Sequence, residues 1–313
     1  MAQLRSIAAT EAASQTRPAR RRLHRDQIWA LVMIAPSVLA IAIFVYGFIA
    51  WTGWVSLVRW NDLAPDFTFV GLTNYVRLFA NERFQIDLRN TAVFTVAFIA
   101  ACLVIGLVLA TLIDQRIRGE GFFRGIFMFP MAVSFIVTGV VWRWLLNPGD
   151  AGINLLFERV GLGFLKSGWY TDPRVGILAV VLAATWQMSG FIMAMYLAGL
   201  RGVSEDLREA ARVDGANELQ IYRHIIFPLL WPVTLSAVII LGHISLKIFD
   251  LTSAMTGPGP AFADDVPAYF MFDTTFRGNH FSQGAAIAIV LLVAVGVVII
   301  PYLIYNARNE VQQ

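Results

Sequence analysis

The chain has 313 residues, 58% of them hydrophobic and only 14% charged, with a formal net charge of +3. Soluble domains carry about 25% charged residues, so a water-soluble globular enzyme or solvated binding module is excluded, and the mean hydropathy of +0.65 points to a bilayer. The positive balance gathers near the N-terminus, at Arg17, Arg20, Arg21, Arg22 and Arg25, where it marks the cytoplasmic side of a membrane helix rather than a nucleic-acid surface.

Residues 1–27 read as an Ala/Arg-rich tail. The first apolar run covers 28–58. Ala40-Ile41-Ala42 fits a signal-cleavage site, but the charged leader before it is long and the run continues beyond it, so a permanent span is expected. Residues 52–89 carry turn signals at Asn61-Asp62, Ala64-Pro65 and Val70-Gly71. Further apolar runs cover 90–113, 125–142, 175–200, 225–246 and 284–307. Each approaches the roughly 20 residues that cross hydrocarbon. The third is the shortest and is continued past Arg143, a snorkelling anchor, by Trp144, Leu145 and Leu146. With no water to satisfy the backbone, each run is expected to be a helix, and the absence of strand alternation argues against a barrel.

Turns close two of these runs: Asn-Pro-Gly-Asp at 147–150 and Gly-Pro-Gly-Pro at 257–260. Pro36, Pro130, Pro228, Pro232 and Pro301 fall inside or at the ends of spans. Proline kinks a helix, and both a hinge and a fixed bend remain open for each. The single cysteine, Cys102, makes no intrachain disulfide or metal cluster and reads as a packing residue.

Six spans place both termini on one side. That side, with loops 114–124 and 201–224, holds fourteen Lys and Arg; the opposite loops hold eight over more residues. Positive charge marks the cytoplasm, so both termini and loop 201–224 are expected there.

That loop has an internal design. Ser204 is suited to cap a helix, followed by the acids Glu205 and Asp206. Gly215 fits a left-handed stop, and Asn217 with Gln220 has capping-box spacing. The reading is a hairpin of two short helices over 204–228. Ala210, Ala211 and Ala216 leave room for a close partner, while an amphipathic linker on the headgroups is the other reading.

The order Glu209-Ala210-Ala211, three residues, Gly215, nine residues, Ile225-Ile226-Phe227-Pro228 resembles the signature of permease subunits of binding-protein-dependent ABC importers. Asp214-Gly215-Ala216 matches the carbohydrate-uptake form. The likeness extends over about 90–307, and more loosely over the first span, as in maltose- and glycerol-phosphate-type permeases. Segments DQRIRGEGFFR, WRWLLNPG, HISLKIFDL and AMTGPGP look most like permeases for glucose or mannose. The resemblance implies an all-α integral membrane protein with the six-helix type I importer permease fold. It divides the chain into tail 1–27, first span and outer segment 28–89, a five-helix core 90–307 and a tail 308–313. It makes the hairpin a coupling helix seated on a separate ATPase, with Glu209, Ala210, Ala211, Asp214, Gly215 and Ala216 as the coupling residues.

No G-x-x-x-x-G-K-[ST] loop is present, so ATP is expected on another polypeptide. The four histidines, His24, His224, His243 and His280, show no metal spacing; no metal, cofactor or catalytic residue is expected. Polar residues inside spans mark candidate pathways. The fourth run holds Thr185, Trp186, Gln187 and Ser189. The third holds Ser134 and Thr138, and the fifth holds His243, Ser245 and Lys247. His243, Lys247 and Asp250 have the spacing of one helix face. Lys247 is equally read as snorkelling or pairing with Asp250, His243 as an interhelical hydrogen bond, and Trp186 as packing; Gln187 requires a partner. By resemblance, sugar contacts map to Met131, Phe135, Gln187, Ser189, Ser245 and Ile248, with Ser245 and Ile248 standing where maltose-type permeases use asparagine.

The expected assembly contains a second homologous permease, two copies of a cytoplasmic ATP-binding subunit, an extracytoplasmic sugar-binding protein and membrane lipid, without nucleic acid, in a bacterial inner (cell) membrane. A permease for another sugar, glycoside or sugar derivative is the alternative. An ion-coupled secondary transporter would need mid-membrane carboxylates, which the six runs lack. A scaffold would be indifferent to changes at Gly215 or Glu209.

Overall fold

The computed structural model describes residues 25–115, 117–149 and 151–310. These are helical apart from turns and one isolated antiparallel bridge between Val58 and Phe69. The chain separates into two units, 1–51 and 52–313.

Along the first unit and into the first residues of the second, α1 (Arg25–Ile41) passes through a π-helical turn, Ala42–Gly47, into α2 (Phe48–Val55). Pro36 lies inside α1, where it removes the amide that would bond back one turn. The run Trp29–Val55 is long and apolar enough to cross a membrane.

The second unit is organised around two long helices. A short α3 (Thr73–Phe79) precedes α4 (Glu82–Asp114), whose first turn is capped by the Asn81 side chain accepting from the Phe84 amide. At 33 residues, α4 is about 50 Å long. It starts eight residues before the expected run at 90 and brings Asp87 into the helix. Its packing partner is α8 (Gly176–Gly202), 17 of whose 27 residues are buried, which makes α8 the central helix. Buried Phe94, Phe98, Cys102, Gly106 and Ala110 repeat every four residues along α4, forming a ridge of the kind that fits a neighbouring groove. The tightest point is Gly106, where an added Cβ would lie 2.7 Å from Ile192 Cγ2; a small residue lets the two backbones approach.

Two of the expected spans are not single helices. The third is α5 (Glu120–Met128), a 3-10 turn (Phe129–Ala132) and α6 (Phe135–Leu145), bent by 98°. Pro130 opens the 3-10 turn, and the Ser134 hydroxyl accepts from the Val137 amide, so a new helix begins where the old one loses a donor. After α7 (Gly152–Arg159) and α8, the connecting hairpin is α9 (Glu205–Val213) and α10 (Glu218–Ile221). A π turn (Tyr222–Ile226), α11 (Phe227–Leu229) and α12 (Trp231–Leu246) make the fifth run, bent by 62° with Pro232 in the first turn of α12. By length and composition the described residues hold four membrane-crossing helices, or six if each bent pair is one span. The remaining elements are α13 (Asp250–Met255), packed on α6, then α14 (Pro267–Phe272), a π turn (Asp273–Arg277) and α15 (Phe281–Glu310), with Pro301 inside it.

Candidate functional site

The hairpin is locked by its own backbone chemistry. The Ser204 hydroxyl accepts from the Asp206 amide at 3.3 Å. At the other end of α9, the Gly215 amide donates to the Arg212 carbonyl at 3.0 Å and the Ala216 amide to the Ala211 carbonyl at 2.9 Å. This is a Schellman closure, which needs a left-handed residue at its centre, and Gly215 has φ +83°. Asn217 and Gln220 form the reciprocal capping box at 2.8 and 2.9 Å. Arg212 then ties the two arms, with Nε 2.9 Å from Glu218 and a longer contact to Glu205.

The locked hairpin presents Glu209, Ala210, Asp214 and Gly215 to the outside. Beside them stand Val213, 88% exposed, and Leu219, 76% exposed. Ala211 and Ala216 instead turn inward, half-buried against the chain's own core. Their small size lets the hairpin sit close to the bundle; Ala210 alone of the three faces outward. A cleft of about 780 Å³ opens beside α9, lined by Asp114, Glu120, Arg201, Ser204, Glu205 and Arg208.

The polar residues of the bundle divide into two sets. Gln187 and Ser245 are buried and satisfy helix contacts: the Gln187 amide donates to the Val133 carbonyl at 2.7 Å, at the break of the third span, and Thr95 donates to Ser245 Oγ at 2.9 Å. Thr138 and Ser189 are also buried, and Ser134 is spent as the cap of α6. Met131 and Trp186 are exposed, the latter packed edge-on against Trp142. The second set meets in a cavity of about 180 Å³ lined by Phe135, His243, Lys247, Ile248 and Asp250. His243 and Lys247 approach to 3.3 Å. The one-face spacing of His243, Lys247 and Asp250 is corrected: α12 ends at Leu246 and α13 starts at Asp250, so the three do not share a helix. No ion pair joins Lys247 to Asp250 among the described residues.

A model of binding-protein-dependent transport system inner membrane components matches residues 103–309, from mid-α4 through the hairpin to the end of α15. The chain belongs to that family. It is 39% identical to a probable ABC transporter permease protein of Pyrococcus horikoshii, over 91% of this chain and 98% of that one. It is 36% identical to the xylose/arabinose import permease protein XacH of Haloferax volcanii, over 88% and 86%. Its fold superposes with a TM-score of 0.76 on a bacterial ABC transporter involved in import of the acidic polysaccharide alginate, at 21% identity and covering 91% of this chain and 97% of that one.

This family member also carries a polar cluster that sequence reading missed, at the start of α4, the end away from the hairpin. Arg83 donates from Nε to Asp265 at 2.6 Å and from Nη1 to Asp273 at 2.8 Å. Its guanidinium lies over the rings of both Phe262 and Phe270, 4.8 and 4.5 Å from their centroids. Asn90 donates to the carbonyls of Phe262 and Asp265. The cluster pins loop 256–266, where Ala261 and Phe262 have positive φ, to α4. Asp264 is fully buried, and its carboxyl oxygens have no hydrogen-bond partner among the described residues; burial and the neighbouring Asp265 push its carboxyl up to about 8. These residues are about 180 positions apart in sequence, so no local signal joins them.

Proposed function

We propose that the chain is the permease subunit of an ATP-driven sugar importer, forming half of the translocation pathway, with hairpin 204–228 seated on a separate cytoplasmic ATPase. The single observation that carries this reading is the rigid hairpin. It offers Val213 and Leu219 beside Glu209 and Gly215 at the end of the central helix, and exposed apolar side chains grouped on a locked element call for a partner. Membership of a binding-protein-dependent transport family supports the remaining partners: a second permease, two ATPase copies and an extracytoplasmic binding protein.

Sugar as cargo is supported by the likeness to the xylose/arabinose permease, and a monosaccharide such as glucose or mannose by the HISLKIFDL and AMTGPGP segments. Counting each bent pair as one span supports six spans, and arginine placement supports both termini lying in the cytoplasm of a bacterial inner membrane. The pathway runs past Met131, Phe135, Trp186, His243, Lys247 and Ile248, with Ser134, Gln187, Ser189 and Ser245 holding its walls. ATP closes the ATPase dimer, the hairpins of the two permeases move together, and the cavity alternates its opening.

The test is uptake of a panel of radiolabelled sugars by membrane vesicles from cells that express the complete system. Gly215→Pro and Glu209→Lys should abolish ATP-dependent uptake while leaving the amount of permease in the membrane unchanged. Normal uptake by both variants would refute the coupling role.

A further inference from the structure

We infer that Arg208 is the residue that transmits hairpin movement to the paired long helices α4 and α8; this rests on the proposed ATPase docking. The guanidinium reaches the ends of both helices at once. Nη1 and Nη2 lie 3.3 and 3.2 Å from Asp114 Oδ2, on the last residue of α4. Nη2 also donates to the Leu200 carbonyl, in the last turn of α8, at 3.4 Å.

The local electrostatics give this side chain a task. A carboxylate at a helix C-terminus adds negative charge to the negative end of the helix dipole. Asp114 occupies that position on α4, and Arg208 supplies the compensating cation from a different element. The two side chains are only 13% and 11% exposed, so water and salt screen this pair far less than a surface pair.

The backbone alone is a poor lever between hairpin and α8. Only Val203 and Ser204 separate α8 from α9, both non-helical, with Val203 extended, and an added Cβ at Gly202 before them would meet open space. A displaced α9 would bend that link rather than move α8. The other arm of the hairpin continues by backbone into α12, so it has its own route. Arg208 is the described ionic contact from the hairpin to the α4–α8 pair. The adjoining Arg201–Glu120 bridge at 2.6 Å joins α8 to α5 without touching the hairpin. Arg208 is therefore a positioning residue: it makes α9 and the ends of α4 and α8 move as one body.

The experiment places spin labels at Leu207 on the hairpin, outside the proposed docking residues, and Leu112 on α4, both exposed, in the assembled complex. Pulsed electron resonance then compares the nucleotide-free state with ATP, magnesium and vanadate. The protein with Arg208 should give one narrow distance population in both states. Arg208→Ala should keep the ATPase subunit and hydrolyse ATP, yet show a second, displaced population when nucleotide is added. Arg208→Lys, which keeps a cation within reach of Asp114, should return the single population, and Glu120→Gln should not disturb it. An unchanged distance in Arg208→Ala, the same splitting in Glu120→Gln, or no return with Arg208→Lys would overturn the inference. So would loss of the ATPase subunit from Arg208→Ala alone, which would make Arg208 a docking residue. Absence of any ATPase subunit from the unmutated complex would instead sink the docking proposal, and this inference with it.

Discussion

Replacing Arg83 by methionine keeps an unbranched apolar stem, though a shorter one, and removes the guanidinium and its charge. Asp265 is then left fully buried without its cation, while Asp273, 29% exposed, keeps Arg277 at 3.5 Å. Removing one partner of a buried ion pair costs about 3–5 kcal/mol. Each ring contact is worth roughly 0.5–2 kcal/mol, and such terms in one cluster are not additive. A loss of about 4 kcal/mol is expected, which lowers the unfolding midpoint by roughly 8–16 °C at about 2–4 °C per kcal/mol. The assay is thermal unfolding of the detergent-solubilised protein followed by tryptophan fluorescence. The origin of the cost can be separated from packing. Burial already raises the Asp265 carboxyl, and Arg83 opposes that rise. Without Arg83 the carboxyl takes up a proton more readily, so the variant should lose less at pH 6 than at pH 8. For the same reason Arg83→Met combined with Asp265→Asn should recover about half of the loss, and Asp273→Asn alone should cost about 1 kcal/mol or less. A midpoint within about 2 °C of the unmutated protein, or a double variant no better than Arg83→Met, would refute the reasoning.

Asp264 gives a pH dependence of opposite sense to that of a salt-bridged acid. Its folded value of about 8 lies above the ordinary 3.8, so between about pH 4 and pH 8 the native state holds a proton that the unfolded chain has released, and stability falls as pH rises through that window. Asp264→Asn should flatten the fall in the unfolding midpoint from pH 5 to pH 8; an identical slope would count against the buried carboxyl. Gly106→Ala should cost about 1–3 kcal/mol through overpacking, because its Cβ would meet Ile192 Cγ2 at 2.7 Å and the Met193 backbone nitrogen at 3.0 Å. Unfolding at an unchanged temperature would show that α4 and α8 separate freely there.

Legibility in the sequence followed the range of the interactions. Ser204, Gly215, Asn217 and Gln220 act on amides within six residues of themselves, and the hairpin formed as their order indicated. Pro130 and Pro232 marked where the third and fifth runs weaken, but apolar composition alone could not distinguish a straight span from a 98° bend. At the break, Gln187 from another helix bonds the Val133 carbonyl, a long-range contact that the composition of the run does not show. The alanines of the hairpin were visible as small; that Ala211 and Ala216 face inward was not.

The sequence by itself determined the solvent, the helical class and the hairpin, because hydropathy, backbone satisfaction in lipid and capping are local properties of the chain. Tertiary structure alone decided that Arg83 would be clasped by Asp265 and Asp273, that Arg208 would bridge α4 and α8, and that Phe135, His243 and Lys247 would share a cavity. Charge and size are written at each position, but the partner that neutralises a charge or fills a gap is chosen by how the helices cross.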